Sequence, residues 1–219
     1  YIPGSSSPAF QGVTIFIGAV ISLGSTGVIG NLLAGYVLIF QRPFALGDRV
    51  RIGEVVGDVV ESSLIVTRLR TIKNEVVTVP NSTIVGGHVV NYSSLARKGG
   101  LILHTAITIG YDTPWRQVEA LLLAAAGRTQ EVLRDPAPFV LQTALGDFYV
   151  HYELNAYTNL SARIDETYAD LHRNVLDSFN EFGVQITSPN YVLDPAQAKV
   201  VPREQWYAAP ARPPEADRP

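Results

Sequence analysis

The sequence predicts a membrane protein of the α+β class: a kinked transmembrane helix, then a small β-barrel, then a split βαβ, ferredoxin-like α/β domain. Three observations predict it. Residues 12–40 carry no charged side chain, and the first charge in the chain is Arg42. Between residues 47 and 91, short runs rich in Val, Ile and Thr are punctuated by Gly. From residue 101 to residue 188, strand and helix patterns follow one another as β, α, β, β, α, β.

A helix needs about 20 apolar residues to cross the hydrocarbon of a bilayer, so the charge-free run suffices for one crossing. Its composition is unusual for a lipid-facing anchor. Gly12, Gly18, Gly24, Gly27, Gly30 and Gly35, with Ala19, Ser22, Ser25, Thr26 and Ala34, interrupt the Val, Ile and Leu. At helical pitch Thr14, Gly18, Ser22 and Ser25 share one face, as small residues do where membrane helices pack. Phe16, Ala19, Leu23 and Thr26 fall on the opposite face. A helix whose small face packs against copies of itself leaves its other face free to line a pore. The alternative is a plain single-pass anchor, since membrane helices are richer in Gly.

Gly24, Gly27 and Gly30 recur every third residue, and each costs about 1 kcal/mol against Ala in a helix interior. Their clustering predicts a joint. The spanning half covers residues 12–26 and a shorter apolar half residues 28–41, lying near the membrane surface. No Met occurs, even at position 1, so further membrane helices are expected upstream, and residues 1–11 read as a linker from them. With no Lys or Arg before the apolar run, a secretory signal peptide is a poor reading.

The β region, residues 42–93, opens at Pro43, which ends the helix. Arg42, Arg49 and Arg51 put positive charge at the membrane edge, which predicts that this side is cytoplasmic. Residues 48–52, 55–61, 64–70 and 75–79 read as short strands, with Gly53, Gly57 and the Lys73, Asn74 pair supplying bends and a turn.

The α/β region, residues 94–188, begins with an alternating strand at 101–109. Thr113 and Pro114 open a helix whose Trp115, Val118, Leu121, Leu122 and Ala125 share a face. Residues 139–143 and 148–156 form a strand pair turned at Gly146 and Asp147. A second helix, residues 161–182, is stopped by Gly183 and followed by a last strand at 184–187. Residues 189–201 hold one more short strand, and the Pro-rich tail, 202–219, reads as disordered.

Composition narrows the function. The absence of Cys excludes disulfides, thiolate metal sites and Cys nucleophiles, and a net charge of -3 argues against nucleic acid as a main partner. No phosphate-loop, dinucleotide, nucleophile-elbow or zincin motif occurs. His88, His104, His151 and His172 lie in different elements without ligand spacing, so no metal, cofactor or enzymatic activity is expected. Asn81, Asn91 and Asn159 each begin an N-x-Ser/Thr pattern, which is inert on a cytoplasmic domain. Pro80 with Asn81 reads as a turn in which the Asn bonds its own backbone. Asp147, Glu153, Asp165 and Glu166 read as solvated faces.

The order Asn31, Leu32, Leu33, Ala34, Gly35; Arg42, Pro43, Phe44; Gly47, Asp48, Val50; Gly57, Val59; Thr67, Arg68, Arg70, Thr71; Val79, Pro80, Asn81; and Asn91, Tyr92, Ser93 resembles the small-conductance mechanosensitive channel (MscS-like) family. The resemblance implies a homoheptamer of the inner membrane, multi-pass in full length, with cytoplasmic C-terminal domains. It also implies a pore-lining helix kinked at a glycine, a Sm-like β domain and an α/β domain enclosing a vestibule. Aligning on Asn31 places the family's two closing leucines at Ala19 and Leu23 and its kink at Gly27. Gly18, Ser22 and Ser25 carry the packing, while Val20 or Phe16 are alternative constrictions. The implied function is a channel gated by membrane tension, touching lipids and passing ions and small solutes on hypo-osmotic shock. The alternatives are a membrane-anchored oligomeric scaffold with a Sm-like ring and an enzyme on the α/β domain.

Overall fold

A computed structural model describes residues 7–186 and 201–212, and the chain divides into two compact units, Tyr1–Ser94 and Leu95–Pro219. In the first unit, helix α1 (Pro8–Gln41) starts earlier than hydropathy indicates. Ser7 caps it by accepting the Phe10 N–H at 3.2 Å, and Pro8 occupies the first helical position. At the other end Arg42 adopts a left-handed conformation, φ 45°, and its N–H closes on the Leu38 carbonyl. Pro43 follows and prevents continuation.

Strands β1 (Arg49–Ile52), β2 (Val55–Ser62), β3 (Val66–Arg70), β4 (Val76–Pro80) and β5 (Val89–Asn91) form one antiparallel sheet in the order β4-β3-β2-β1-β5. No ladder joins β4 to β5 among the described residues, so the expected barrel is an open sheet in its hydrogen bonding. The chain leaves β4 at Pro80, turns into α2 (Asn81–Val85), and returns for only three residues as β5. The core comprises Val50, Ile52, Val59, Leu69, Val79 and Ile84, with Leu38 contributed by α1. Arg49 is buried at the first pair of the β1–β2 ladder, opposite Asp58, and its Nε donates to the Asp58 carboxylate at 2.9 Å. One of the three cations expected at the membrane edge is thus neutralised internally. Helix α3 (Tyr92–Ala96) follows β5.

In the second unit, β6 (Leu101–Gly110), β7 (Phe139–Leu145) and β8 (Tyr149–Thr158) form an antiparallel sheet in the order β6-β8-β7. Helices α4 (Trp115–Arg128) and α5 (Ile164–Glu181) supply Val118, Leu121, Leu122, Leu171, Val175 and Phe179 to one core with Ile109, Tyr152 and Leu154 of the sheet. Trp115 does not share the buried face of α4; it is 43% exposed. Gly183, φ 65°, ends α5 as its composition predicts, and the Val184 N–H returns to the Phe179 carbonyl.

Two sequence expectations change here. Residues 184–186 are not a strand; Val184 and Ile186 pack against the core as irregular chain, and the rest of that segment lies outside the described residues. The short strand expected within 189–201 also lies outside them, apart from Val201. The tail, expected to be disordered from Pro202, is placed as far as Arg212 and includes a 3-10 turn at Arg203–Gln205. It is held because Trp206 and Tyr207, its two large aromatics, find a cation on α4.

Candidate functional site

From residue 10 to residue 22 every side chain of α1 is exposed within the single chain, with Ile15 at 72% and Phe16 at 69%. A Cβ built on Gly12, Gly18, Gly27 or Gly30 would meet nothing within 4 Å. The small face therefore has no partner inside this chain among the described residues. Ala19 and Val20, two of the residues considered for a constriction, lie on this uncovered stretch.

The hydroxyls of α1 are satisfied locally. Thr14 donates to the Phe10 carbonyl at 2.8 Å, Ser25 to Ile21 at 2.8 Å and Thr26 to Ser22 at 3.0 Å. Back-bonding of this kind bends helices. The helix bends by 47° between the straight parts Phe10–Ser22 and Ser25–Gln41. The bend thus falls beside Gly24, one turn before Gly27, where the carbonyls of Ile21 and Ser22 are shared with hydroxyls. No single helix among the described residues is long and apolar enough to cross a membrane; the bent pair passes that test together.

The second half of α1 sits on the β unit through residues that hydropathy does not mark. Ile29, Leu33 and Tyr36 are more than half exposed, while Ala34, Gly35 and Leu38 are buried and Leu32 is partly so. Gly35 makes the approach possible: a Cβ there would stand 2.0 Å from the Leu64 carbonyl oxygen. Asn31 accepts the Ser82 N–H at 2.9 Å and donates to the Gly27 carbonyl at 2.9 Å.

Two more asparagines complete the seat. Asn81, fully buried, does not bond its own backbone through its side chain; it accepts from the Thr67 hydroxyl at 3.0 Å and donates to the Ser63 carbonyl at 2.8 Å. Asn91 donates to the Pro43 carbonyl at 3.0 Å and to Asp48 at 2.9 Å, and accepts the N–H groups of Ser93 and Ser94. The exit of α1, the start of β1 and the start of α3 are therefore tied at one side chain. All three asparagines stood in the family pattern, but nothing in hydropathy distinguished them from turn residues.

No group of metal-ligating side chains occurs among the described residues. What the arrangement does is seat an apolar helix on a packed β sheet.

The family description "Mechanosensitive ion channel, beta-domain" matches residues 27–94, and "Mechanosensitive ion channel MscS, C-terminal" matches residues 103–186. A protein of Haemophilus influenzae described as an MscS family protein is 28% identical over 183 residues, 84% of this chain and 16% of that protein. The mechanosensitive channel MscK of Escherichia coli is 27% identical over 154 residues, 70% of this chain and 14% of MscK. The chain thus spans a small part of the length of either relative. The crystal structure of Helicobacter pylori MscS in the closed state superposes with a TM-score of 0.72 at 15% identity, covering 89% of this chain and 76% of that one, which shows a shared fold. With both domains matched in order along the chain, it belongs to the MscS-like family of mechanosensitive ion channels.

Proposed function

We propose that copies of this chain assemble, as a homoheptamer in the inner membrane, into a channel that opens under membrane tension and releases ions and small solutes on hypo-osmotic shock. The observation that carries this reading is the charge-free stretch 10–22 of α1, every residue of which is exposed within the chain, while the second half of the helix is seated on the β unit. Only lipid and further copies can cover such a face without cost. In this reading α1 lines the pore, further membrane helices precede it, and the β sheet that follows α1 and the second unit are cytoplasmic. The open sheet corresponds to the Sm-like domain. The second unit corresponds to a ferredoxin-like domain.

Gly18, Ser22 and Ser25 form the packing face between neighbouring helices. Leu23 and Ala19 form the closing rings, which hold the pore dry by dewetting rather than by a plug. Gly24, Gly27 and Gly30 make the joint. Tension favours the state of larger in-plane area, so tilting the first halves apart shifts the equilibrium without any ligand.

Patch recordings under suction, from cells lacking their own tension-gated channels and expressing the full-length gene, test the proposal. Stepwise currents that rise with suction, together with survival of osmotic downshock, are expected. Silence up to lytic tension would leave a membrane-anchored scaffold with a Sm-like ring.

A further inference from the structure

Residues 201–212 fold back over the N-terminal end of α4. The Arg116 guanidinium lies 4.2 Å from the Trp115 ring centre, 4.8 Å from that of Tyr207 and 5.7 Å from that of Trp206. Gln117 donates to the Ala209 carbonyl at 2.6 Å. Beneath this segment lies a cavity of about 450 Å³, walled by Trp115, Trp206, Leu145 and Val150 among others. That volume falls within the range of small-molecule sites.

Its polar lining is Tyr111, Thr113, Arg116, Gln142 and Tyr152. No Asp or Glu lines the cavity, and Arg116 is its one charged residue, without an ion pair among the described residues. Tyr152 also lines it, is 2% exposed overall, and its hydroxyl has no hydrogen-bond partner among the described residues. Burial, then Glu119 and Tyr111, push that phenol up to about 12, so it stays a donor at physiological pH. The cavity therefore offers a cation, a phenolic donor and two indole walls, and it lacks an acceptor of matching charge.

We propose that this cavity binds a small aromatic carboxylate, its ring against Trp115 and Trp206 and its carboxylate on the Arg116 guanidinium and the Tyr152 hydroxyl, with residues 201–212 as the lid. Arg116 disfavours cations, and Arg203, 5.9 Å from the Trp206 ring centre, adds to the positive field around the lid. Because Trp206 belongs to the lid and Trp115 to α4, an occupant fastens the tail to the domain. The assignment is independent of channel activity.

Both tryptophans of the chain line the cavity, so their emission reports its occupancy. Full-length protein, purified in detergent, is titrated with 3-phenylpropionate and separately with 3-phenylpropionamide, by tryptophan fluorescence and by calorimetry. The acid is expected to bind saturably at one equivalent per chain, and the amide about tenfold more weakly or worse. Arg116→Gln should erase that preference, and Tyr152→Phe should weaken the acid severalfold. If Arg116→Gln does not assemble, Trp206→Ala, which alters only the lid, should lower affinity for the acid by itself. Absence of saturable binding, equal affinity for acid and amide, or unchanged affinity in Arg116→Gln or Trp206→Ala would overturn the proposal.

Discussion

The side chain of Asn31 bridges the Gly27 carbonyl and the Ser82 N–H, each at 2.9 Å, joining α1 to the start of α2 across 51 residues of sequence. Replacing Asn31 with Leu keeps the volume and removes both bonds. A bond of this kind contributes about 1 kcal/mol net, so exchange of the Ser82 amide should accelerate about fivefold. In patch recordings, closure or inactivation kinetics should change with it. Unaltered exchange would show that the bond is not held in solution.

Gly35→Ala should be the most damaging of the α1 glycine substitutions for folding, because its Cβ would overlap the Leu64 carbonyl at 2.0 Å. Overpacking of this kind costs about 1–3 kcal/mol. Gly27→Ala, with nothing within 4 Å in the chain, is the control. Urea midpoints should fall for Gly35→Ala and hold or rise for Gly27→Ala.

The joint is tested as a set. Gly24→Ala, Gly27→Ala and Gly30→Ala each add about 1 kcal/mol of helix preference. With the 47° bend lying between Ser22 and Ser25, Gly24→Ala should straighten the resting helix most. If the joint used in gating is instead at Gly27, closure kinetics will respond most strongly there. Equal and negligible effects at all three would place the working bend elsewhere.

Leu23→Ser should hydrate the proposed constriction, producing leaky, slow-growing cells and a lower opening threshold. Normal growth with an unchanged threshold would move the ring to Val20 or Phe16.

Tyr152 holds its proton more tightly folded, about 12, than the ordinary phenol at 10.0. A raised folded value gives stability that is fully present below pH 10 and fades as the pH rises from there toward 12. Tyr152→Phe should flatten that alkaline decline. Urea midpoints compared at pH 9 and pH 11 measure it; equal slopes in both proteins would mean the phenol is not sequestered.

What the sequence made legible was what periodicity encodes. The strand runs of the β unit and the Val118, Leu121, Leu122, Ala125 face of α4 are repeats of two and of about three and a half, and burial follows them directly. The seat of α1 was not legible in that way. Its specificity lies in Asn31, Asn81 and Gly35, where one amide geometry or one missing methyl decides the fit, and hydropathy is blind to both. Trp115 was misread because a large apolar residue in register with a buried face looks like core. Here it stacks under Arg116 instead. The tail failed for the opposite reason: its prolines signalled disorder, while two aromatics sufficed to anchor it.

The hydroxyls of Thr14, Ser25 and Thr26 are all spent on carbonyls of their own helix. These three side chains therefore need no hydrogen-bond partner on whatever surface covers this part of α1. That leaves the seat at Asn31 and Gly35, with buried Ala34 and Leu38, as the place where the helix is held by the rest of its unit.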